Sequence, residues 1–102
     1  MPTRAQLEEL LKSEPDDTFL LYALAKACVG EGDVESGLQQ FDDVLRRDPK
    51  HVAAYFQKGQ VLAENGRTEA AREVIVQGIA AAQEVGDDHA EEEMRGFLDS
   101  LT

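Results

Sequence analysis

Apolar residues along this chain recur at steps of three and four positions, with no long stretch of strand-like alternation. This spacing places apolar side chains on one face of an α-helix. Gly32 and Gly66 separate such stretches, as tight turns between helices require. The pattern predicts an all-α chain of about six helices.

The first three predicted helices begin at residues that favour helix N-termini. Thr3 is the expected N-cap of the first helix, residues 3–13, with Gln6 as its capping-box partner. The second helix spans about 17–31 and is apolar on nearly all sides, so we expect other helices to cover it on more than one side. Asp33 is the expected N-cap of the third helix.

The fourth and fifth helices are placed by similar signals. Asp48 is the expected N-cap of the fourth, with Pro49 at its first helical position, where a missing N–H costs nothing. Thr68 is the expected N-cap of the fifth helix. Because no proline ends this helix, we expect it to continue to about Glu84, before a turn at Gly86.

The sixth predicted helix covers residues 87–101. Asp88 and Glu91 have the spacing of a second capping box. Its apolar positions form a helical stripe: Ala90, Met94, Phe97, Leu98 and Leu101.

The paired helices repeat with a period of 34 residues, the distance between Gly32 and Gly66. Aligning residues 18–51 with residues 52–85 leaves only two identities. The similarity between the two segments therefore lies in their pattern, so the residues at the anchor positions decide which repeat class this is.

At these anchors the chain resembles the tetratricopeptide repeat (TPR) family, whose pattern has Trp, Leu, Gly and Tyr on one helix and Ala, Phe and Pro on the next. The first repeat supplies, at matching spacing, Leu21, Leu24, Ala25, Cys28, Gly37, Phe41 and Pro49. The second supplies Tyr55, Lys58, Gly59, Leu62, Ala71, Ile75 and Gln83. Of these, Lys58 and Gln83 depart from the family pattern.

The resemblance implies a right-handed helical-repeat solenoid, an α-α superhelix of antiparallel helix pairs. Residues 1–102 would form one TPR domain with repeats at 18–51 and 52–85. The helices at 3–13 and 87–101 would cap it, since a terminal repeat otherwise exposes its apolar face.

Small residues occupy aligned positions where the helices are expected to cross closely. The aligned pairs are Ala25 with Gly59 on the first helices and Gly37 with Ala71 on the second helices. We expect the second pair to face Phe41 and Ile75, because a bulky side chain at a close crossing needs a small neighbour. Gly78, inside the fifth helix, also predicts close packing, since it costs about 1 kcal/mol of helix propensity.

The function implied by the resemblance is non-catalytic protein–protein interaction, as a scaffold or adaptor. In TPR proteins the first helix of each repeat lines a concave groove that takes extended peptides or partner helices. Carried over by position, the expected binding residues are Phe19, Tyr22, Lys26, Phe56, Gln57 and Gln60. The three aromatic residues would act as apolar anchors, and the polar residues would hydrogen-bond a peptide backbone.

Two other readings of these aromatic residues stay open. A capping helix could cover them within the chain. A second copy of the chain could also cover them, so weak homo-oligomerisation is the alternative function. Two repeats are fewer than the three or so that a stable array usually needs. The residues depart from the TPR subclass that grips chaperone tails with Lys, Asn and Arg over three repeats, so we predict no such binding.

The sequence gives little support for catalysis. Gly30-Glu31-Gly32 is too short for a phosphate loop and closes a helix instead of opening one. Cys28 falls at a packing position and is predicted to be a core thiol. His89 with Glu92 and Glu93 would be a weak metal site. We therefore predict no enzyme activity, no metal and no cofactor.

Charge narrows the class of partner. The 102 residues include 21 acidic and 10 basic side chains, a net charge of −11. This balance argues against binding to nucleic acid or to anionic membrane surfaces. The one basic cluster, Arg46, Arg47 and Lys50, lies among aspartates and is expected to form a salt-bridged turn.

The acidity is unevenly distributed. Residues 1–51 carry a net charge of −5, residues 52–81 are neutral, and residues 82–102 carry −6. Such acidity favours solubility and helix capping, and contact with a partner should depend on the aromatic residues. A single cysteine, no apolar run near the roughly 20 residues of a membrane span and no secretory segment favour a cytoplasmic location.

Overall fold

The computed structural model describes residues 1–101, which form six α-helices and no strand. The helices are α1 Arg4–Ser13, α2 Thr18–Gly30, α3 Val34–Arg47, α4 Val52–Glu64, α5 Thr68–Val85 and α6 Asp88–Ser100. They fall into two compact units, one of residues 1–48 and one that begins at Pro49. The predicted all-α helical-repeat fold is confirmed. Over the described residues, no helix is long and apolar enough to cross a bilayer.

In the first unit, α2 packs against both α1 and α3. Leu7 of α1 is buried against Leu24 and Cys28 of α2, and Phe41 and Val44 of α3 are fully buried. Helix α2 is therefore covered from two sides, which confirms the expectation drawn from its apolar sequence.

The close approach of α2 and α3 occurs at Gly37. A Cβ at this position would lie 2.5 Å from Cγ2 of Val29 and 3.1 Å from the carbonyl oxygen of Ala25. The bulky neighbour of Gly37 is thus Val29, on the facing helix. The expectation that Gly37 faces Phe41 is wrong, because position 41 lies one turn along the same helix.

In the second unit, α5 packs against both α4 and α6. Its core joins Ile75, Ile79 and Ala82 of α5 to Met94 of α6. Gly78 lies between neighbouring helices, since a Cβ there would be 2.7 Å from the sulfur of Met94 and 2.7 Å from Cβ of Tyr55. The close packing predicted for Gly78 is confirmed.

The helix starts of the first unit match the sequence signals. Thr3 accepts a hydrogen bond from the backbone N–H of Gln6, and the Gln6 side chain accepts one from the backbone N–H of Thr3, which completes the predicted capping box. Asp33 caps α3 by accepting a hydrogen bond from the N–H of Ser36. The N-cap of α2 is Asp17, which bonds the N–H of Leu20.

The start of α4 differs from the prediction. Asp48 is the C-cap of α3, and its N–H donates to the carbonyl oxygen of Val44 at 2.8 Å, so it closes one helix and does not begin the next. Helix α4 begins after His51, whose Nδ1 accepts a hydrogen bond from the N–H of Ala54 at 3.1 Å. Pro49 lies in the turn, where its carbonyl oxygen accepts a hydrogen bond from the Tyr55 hydroxyl at 2.8 Å.

The N-caps of α5 and α6 each lie one residue before the predicted position. Thr68 is the first helical residue of α5, because the carbonyl oxygen of Arg67 already accepts from the N–H of Ala71. In α6 the N-cap is Asp87, which bonds the N–H of Ala90 at 3.0 Å. The predicted capping box of Asp88 with Glu91 is therefore wrong.

The Glu91 side chain is engaged elsewhere. It accepts hydrogen bonds from Arg95 at 2.9 Å and from Gln83 at 3.1 Å, and these bonds lower its pKa. The turn before α6 is made by Gly86, which has a left-handed φ of +74°. Helix α5 ends at Val85, one residue beyond the expected end.

Candidate partner-binding site

Phe19, Tyr22 and Lys26 share one face of α2, which we call the α2 stripe. Their spacing of three and four residues puts them on successive turns. The Phe19 side chain is 74% exposed, while Tyr22 is half-buried and Lys26 is exposed. The structure thus brings the three predicted residues of the first unit together on one surface.

Tyr22 links the stripe to the core. Its ring meets the buried ring of Phe41 edge-on, with centroids 6.0 Å apart and an interplanar angle of 62°. On the other side, Nζ of Lys26 lies 5.5 Å from the centroid of the Tyr22 ring, a cation–π arrangement. An ordinary tyrosine pKa of about 10 leaves the Tyr22 hydroxyl neutral near pH 7, and burial raises that pKa. Lys26 therefore supplies the charge of the stripe.

The predicted residues of the second unit lie on α4 and are more covered. Phe56 is half-buried and packs against the core of Ile75, Ile79, Ala82 and Met94. Its ring meets Phe97 of α6 edge-on, with centroids 5.8 Å apart and an interplanar angle of 64°. Gln57 and Gln60 are also half-buried. On α4, then, Phe97 of α6 shields part of the Phe56 ring.

Helices α5 and α6 form a surface that the sequence patterns did not single out. A shallow groove of about 640 Å³ is lined by Arg72, Glu73, Val76, Gln77 and Leu98. Val76 is 55% exposed, because it is out of phase with the buried Ala71, Ile75 and Ile79 of the same helix. This phase difference is the sequence signal that could have identified the exposed valine.

Cys28 is only 1% exposed, and burial is the main cause that raises the pKa of its thiol. The prediction of a core thiol is confirmed, since such a group has neither the exposure nor the thiolate character of a reactive cysteine. His89 forms a local pair with Glu93, Nε2 to Oε1 at 2.9 Å. In residues 1–101 no three His, Cys, Asp or Glu side chains are grouped as a metal site.

The basic cluster is paired with carboxylates, as predicted, although the partners differ in part. Arg46 pairs with Asp43. Arg47 reaches Asp16, in the turn before α2, with Nε 2.9 Å from Oδ1, and it also donates to the carbonyl oxygen of Asp43. Lys50 lies 3.8 Å from Glu84.

Comparison with known proteins gives consistent matches over most of the chain. The family model of the tetratricopeptide repeat matches residues 22–85. A TPR repeat-containing protein of Pseudomonas aeruginosa is 33% identical over 95 residues, which cover 93% of this chain and 90% of that protein.

Two solved structures are similar to this chain in fold. The solution NMR structure of a tetratricopeptide repeat domain protein from Salinibacter ruber has a TM-score of 0.81 and 28% identity, covering 85% of this chain and 88% of that one. The solution structure of a protein from Bordetella parapertussis has a TM-score of 0.85 and 28% identity, covering 99% of this chain and 88% of that one.

Proposed function

Because this chain belongs to the tetratricopeptide repeat family, whose members are generally protein-interaction modules, we propose that it is a non-catalytic scaffold or adaptor. It binds a peptide or helix of a partner protein, and in each repeat the first helix supplies the contacts. The residues that make contact are those of the α2 stripe and, on α4, Phe56, Gln57 and Gln60.

The exposure of Phe19 is the observation that carries this proposal. An aromatic side chain that is 74% exposed leaves most of its apolar surface in water. Covering it with a partner removes that surface from water, and aromatic residues of this kind are the usual anchors of protein interfaces. Tyr22 beside it packs against the buried ring of Phe41, so it loses little side-chain freedom on binding.

Selection of peptides on the full chain tests the proposal. A library of random dodecapeptides displayed on phage is selected on the immobilised protein, and enriched peptides are synthesised for titration. We expect Phe19→Ala to weaken their binding by tenfold or more, since burial of such a side chain is worth about 1.5–3 kcal/mol.

Leu10→Ala is the matched control. Leu10 is 51% exposed on α1 and lies outside the stripe, so its removal should leave peptide binding unchanged. No enrichment above a blank support, or equal affinity for the wild type and the Phe19→Ala variant, would overturn the proposal. A wild type that dimerises in light scattering and becomes monomeric on Phe19→Ala would replace it with self-association.

A further inference from the structure

Helix α2 differs in charge from the rest of this acidic chain. Thr18–Gly30 contains no Asp or Glu, and Lys26 is its one charged residue. The exposed face of α2 therefore presents a single positive charge beside two aromatic rings, although the chain as a whole carries −11.

Lys26 also differs from the other cations in its partners. Five arginines form ion pairs with carboxylates of the chain: Arg4, Arg46, Arg47, Arg72 and Arg95. Among residues 1–101, no carboxylate lies within ion-pair distance of Lys26, whose ammonium lies over the ring of Tyr22. A chain with twice as many acids as bases thus leaves this ammonium without a carboxylate.

We propose that the α2 stripe recognises an extended peptide segment that carries an apolar side chain and, about three residues away, a carboxylate. The apolar side chain packs on Phe19 and Tyr22, and the carboxylate pairs with Lys26. This inference rests on the proposed function and specifies the chemistry of the partner.

The spacing follows from helix geometry. Phe19 and Lys26 are seven residues apart, which is about 10 Å along a helix that rises 1.5 Å per residue. An extended peptide covers that distance in about three residues, at roughly 3.3 Å each. The apolar and acidic groups of the partner therefore lie on one short segment.

The overall negative charge does not make a basic segment the better partner for this surface. At physiological salt, charges more than about 8 Å apart are largely screened, so the group in contact with the ligand decides the local preference. Two acids of the first unit are already paired within the chain, Asp16 with Arg47 and Asp33 with Arg4. The stripe itself offers a cation.

Peptides enriched on the wild-type chain test the inference. We expect Asp or Glu to recur about three positions from a large apolar residue. Replacing that acid by its amide should weaken binding to the wild type by about fivefold, near the upper limit for an exposed ion pair. The same replacement should have no effect on the Lys26→Gln variant, and Lys26→Glu should regain affinity for the peptide with Lys in place of the acid.

The outcomes separate the two proposals. Peptides that depend on Phe19 but show no acid preference, or an acid effect that persists in Lys26→Gln, overturn the inference and leave the proposed function standing. If no peptide depends on Phe19, both fail. Circular dichroism should show equal helicity in the wild type and the Lys26 variants, because the Lys26 side chain is exposed and makes no hydrogen bond.

Discussion

Gly59 of α4 lies directly against the side chain of Ile75 of α5. A Cβ at position 59 would come within 2.7 Å of Cγ1 of Ile75, and Ile75 is fully buried. The small residue predicted on the first helix of the repeat is therefore the one that accommodates Ile75, and not Ala71, which precedes Ile75 by one turn on the same helix.

Gly59→Ala should lower the stability of the second unit. Alanine gains about 1 kcal/mol of helix propensity over glycine, but overpacking costs about 1–3 kcal/mol. Because Ile75 is fully buried and has little room to move away, we expect a cost in the upper part of that range. Urea denaturation followed by circular dichroism should show a lower midpoint. In an Ile75→Val background, which lacks the Cδ1 atom, the loss should be smaller.

Gly96→Ala is the matched control, since nothing lies within 4 Å of a Cβ at that position of α6. Here the propensity gain is unopposed, so the urea midpoint should rise. A Gly59→Ala midpoint that rises as much as that of Gly96→Ala would show that α4 and α5 do not approach closely at this position.

Substitution of two neighbouring aspartates tests which residue is the N-cap of α6. Asp87→Ala should cost about 0.5–2 kcal/mol, because Asp87 accepts the capping hydrogen bond from the N–H of Ala90. Asp88→Ala removes only a charge from the first turn, which is worth about 0.3–1 kcal/mol. Urea midpoints of the two variants should differ in this order, and the reverse order would place the N-cap at Asp88.

Stability at acid pH should depend on Asp33. Hydrogen bonds from Ser36 and then from the guanidinium of Arg4 lower the pKa of this carboxyl. Its charge therefore stabilises the folded state above the ordinary aspartate pKa of about 3.9, and this contribution is lost as the pH falls through the lowered value.

The test is Asp33→Asn, which keeps a capping oxygen and removes the charge. The variant should be less stable than the wild type at neutral pH, and the difference should shrink as the pH falls below about 4. Arg4→Gln should reduce this pH-dependent difference without abolishing it, because the bonds from Ser36 remain. A difference between wild type and Asp33→Asn that is constant with pH contradicts the assignment.

The thiol of Cys28 should report on opening of the first unit. Being 1% exposed and having a raised pKa, it should react slowly with a disulfide reagent in the folded chain and fast in urea. In a Gly96→Cys variant, which adds an exposed thiol, one thiol per chain should react fast and the other, Cys28, slowly.

The raised pKa of Cys28 also affects stability at high pH. The free energy of unfolding should fall as the pH rises beyond the ordinary thiol pKa of about 8.5.

Local sequence signals predicted most of the helical framework. The helix count, the Thr3–Gln6 capping box and the buried Cys28 all follow from spacing and residue type over a few turns. The start of α4 does not, because Asp48 is a preferred N-cap and Pro49 a preferred first helical residue, whereas histidine is not a preferred N-cap. Asp48 ends α3 because its N–H donates a hydrogen bond to the carbonyl oxygen of Val44, and this bond is visible only in the structure.

The candidate site likewise combines features that could be predicted from the sequence with features that could not. Family positions were enough to predict that Phe19, Tyr22 and Lys26 share a face. The different exposure of Phe19 and Phe56 was not predictable, because it depends on Phe97, which lies 41 positions beyond Phe56 in the chain. The lack of a carboxylate beside Lys26 likewise depends on where every acidic side chain folds.

The left-handed glycines restrict how the length of this chain can change in evolution. Gly32, Gly66 and Gly86 have φ of +86°, +76° and +74°, and each ends a helix-closing turn. Adding one residue inside a helix rotates everything after it by about 100°, which would carry buried positions to the surface. Insertions and deletions among homologous chains should therefore cluster at these three turns, and a newly acquired segment should enter there or as a whole 34-residue repeat.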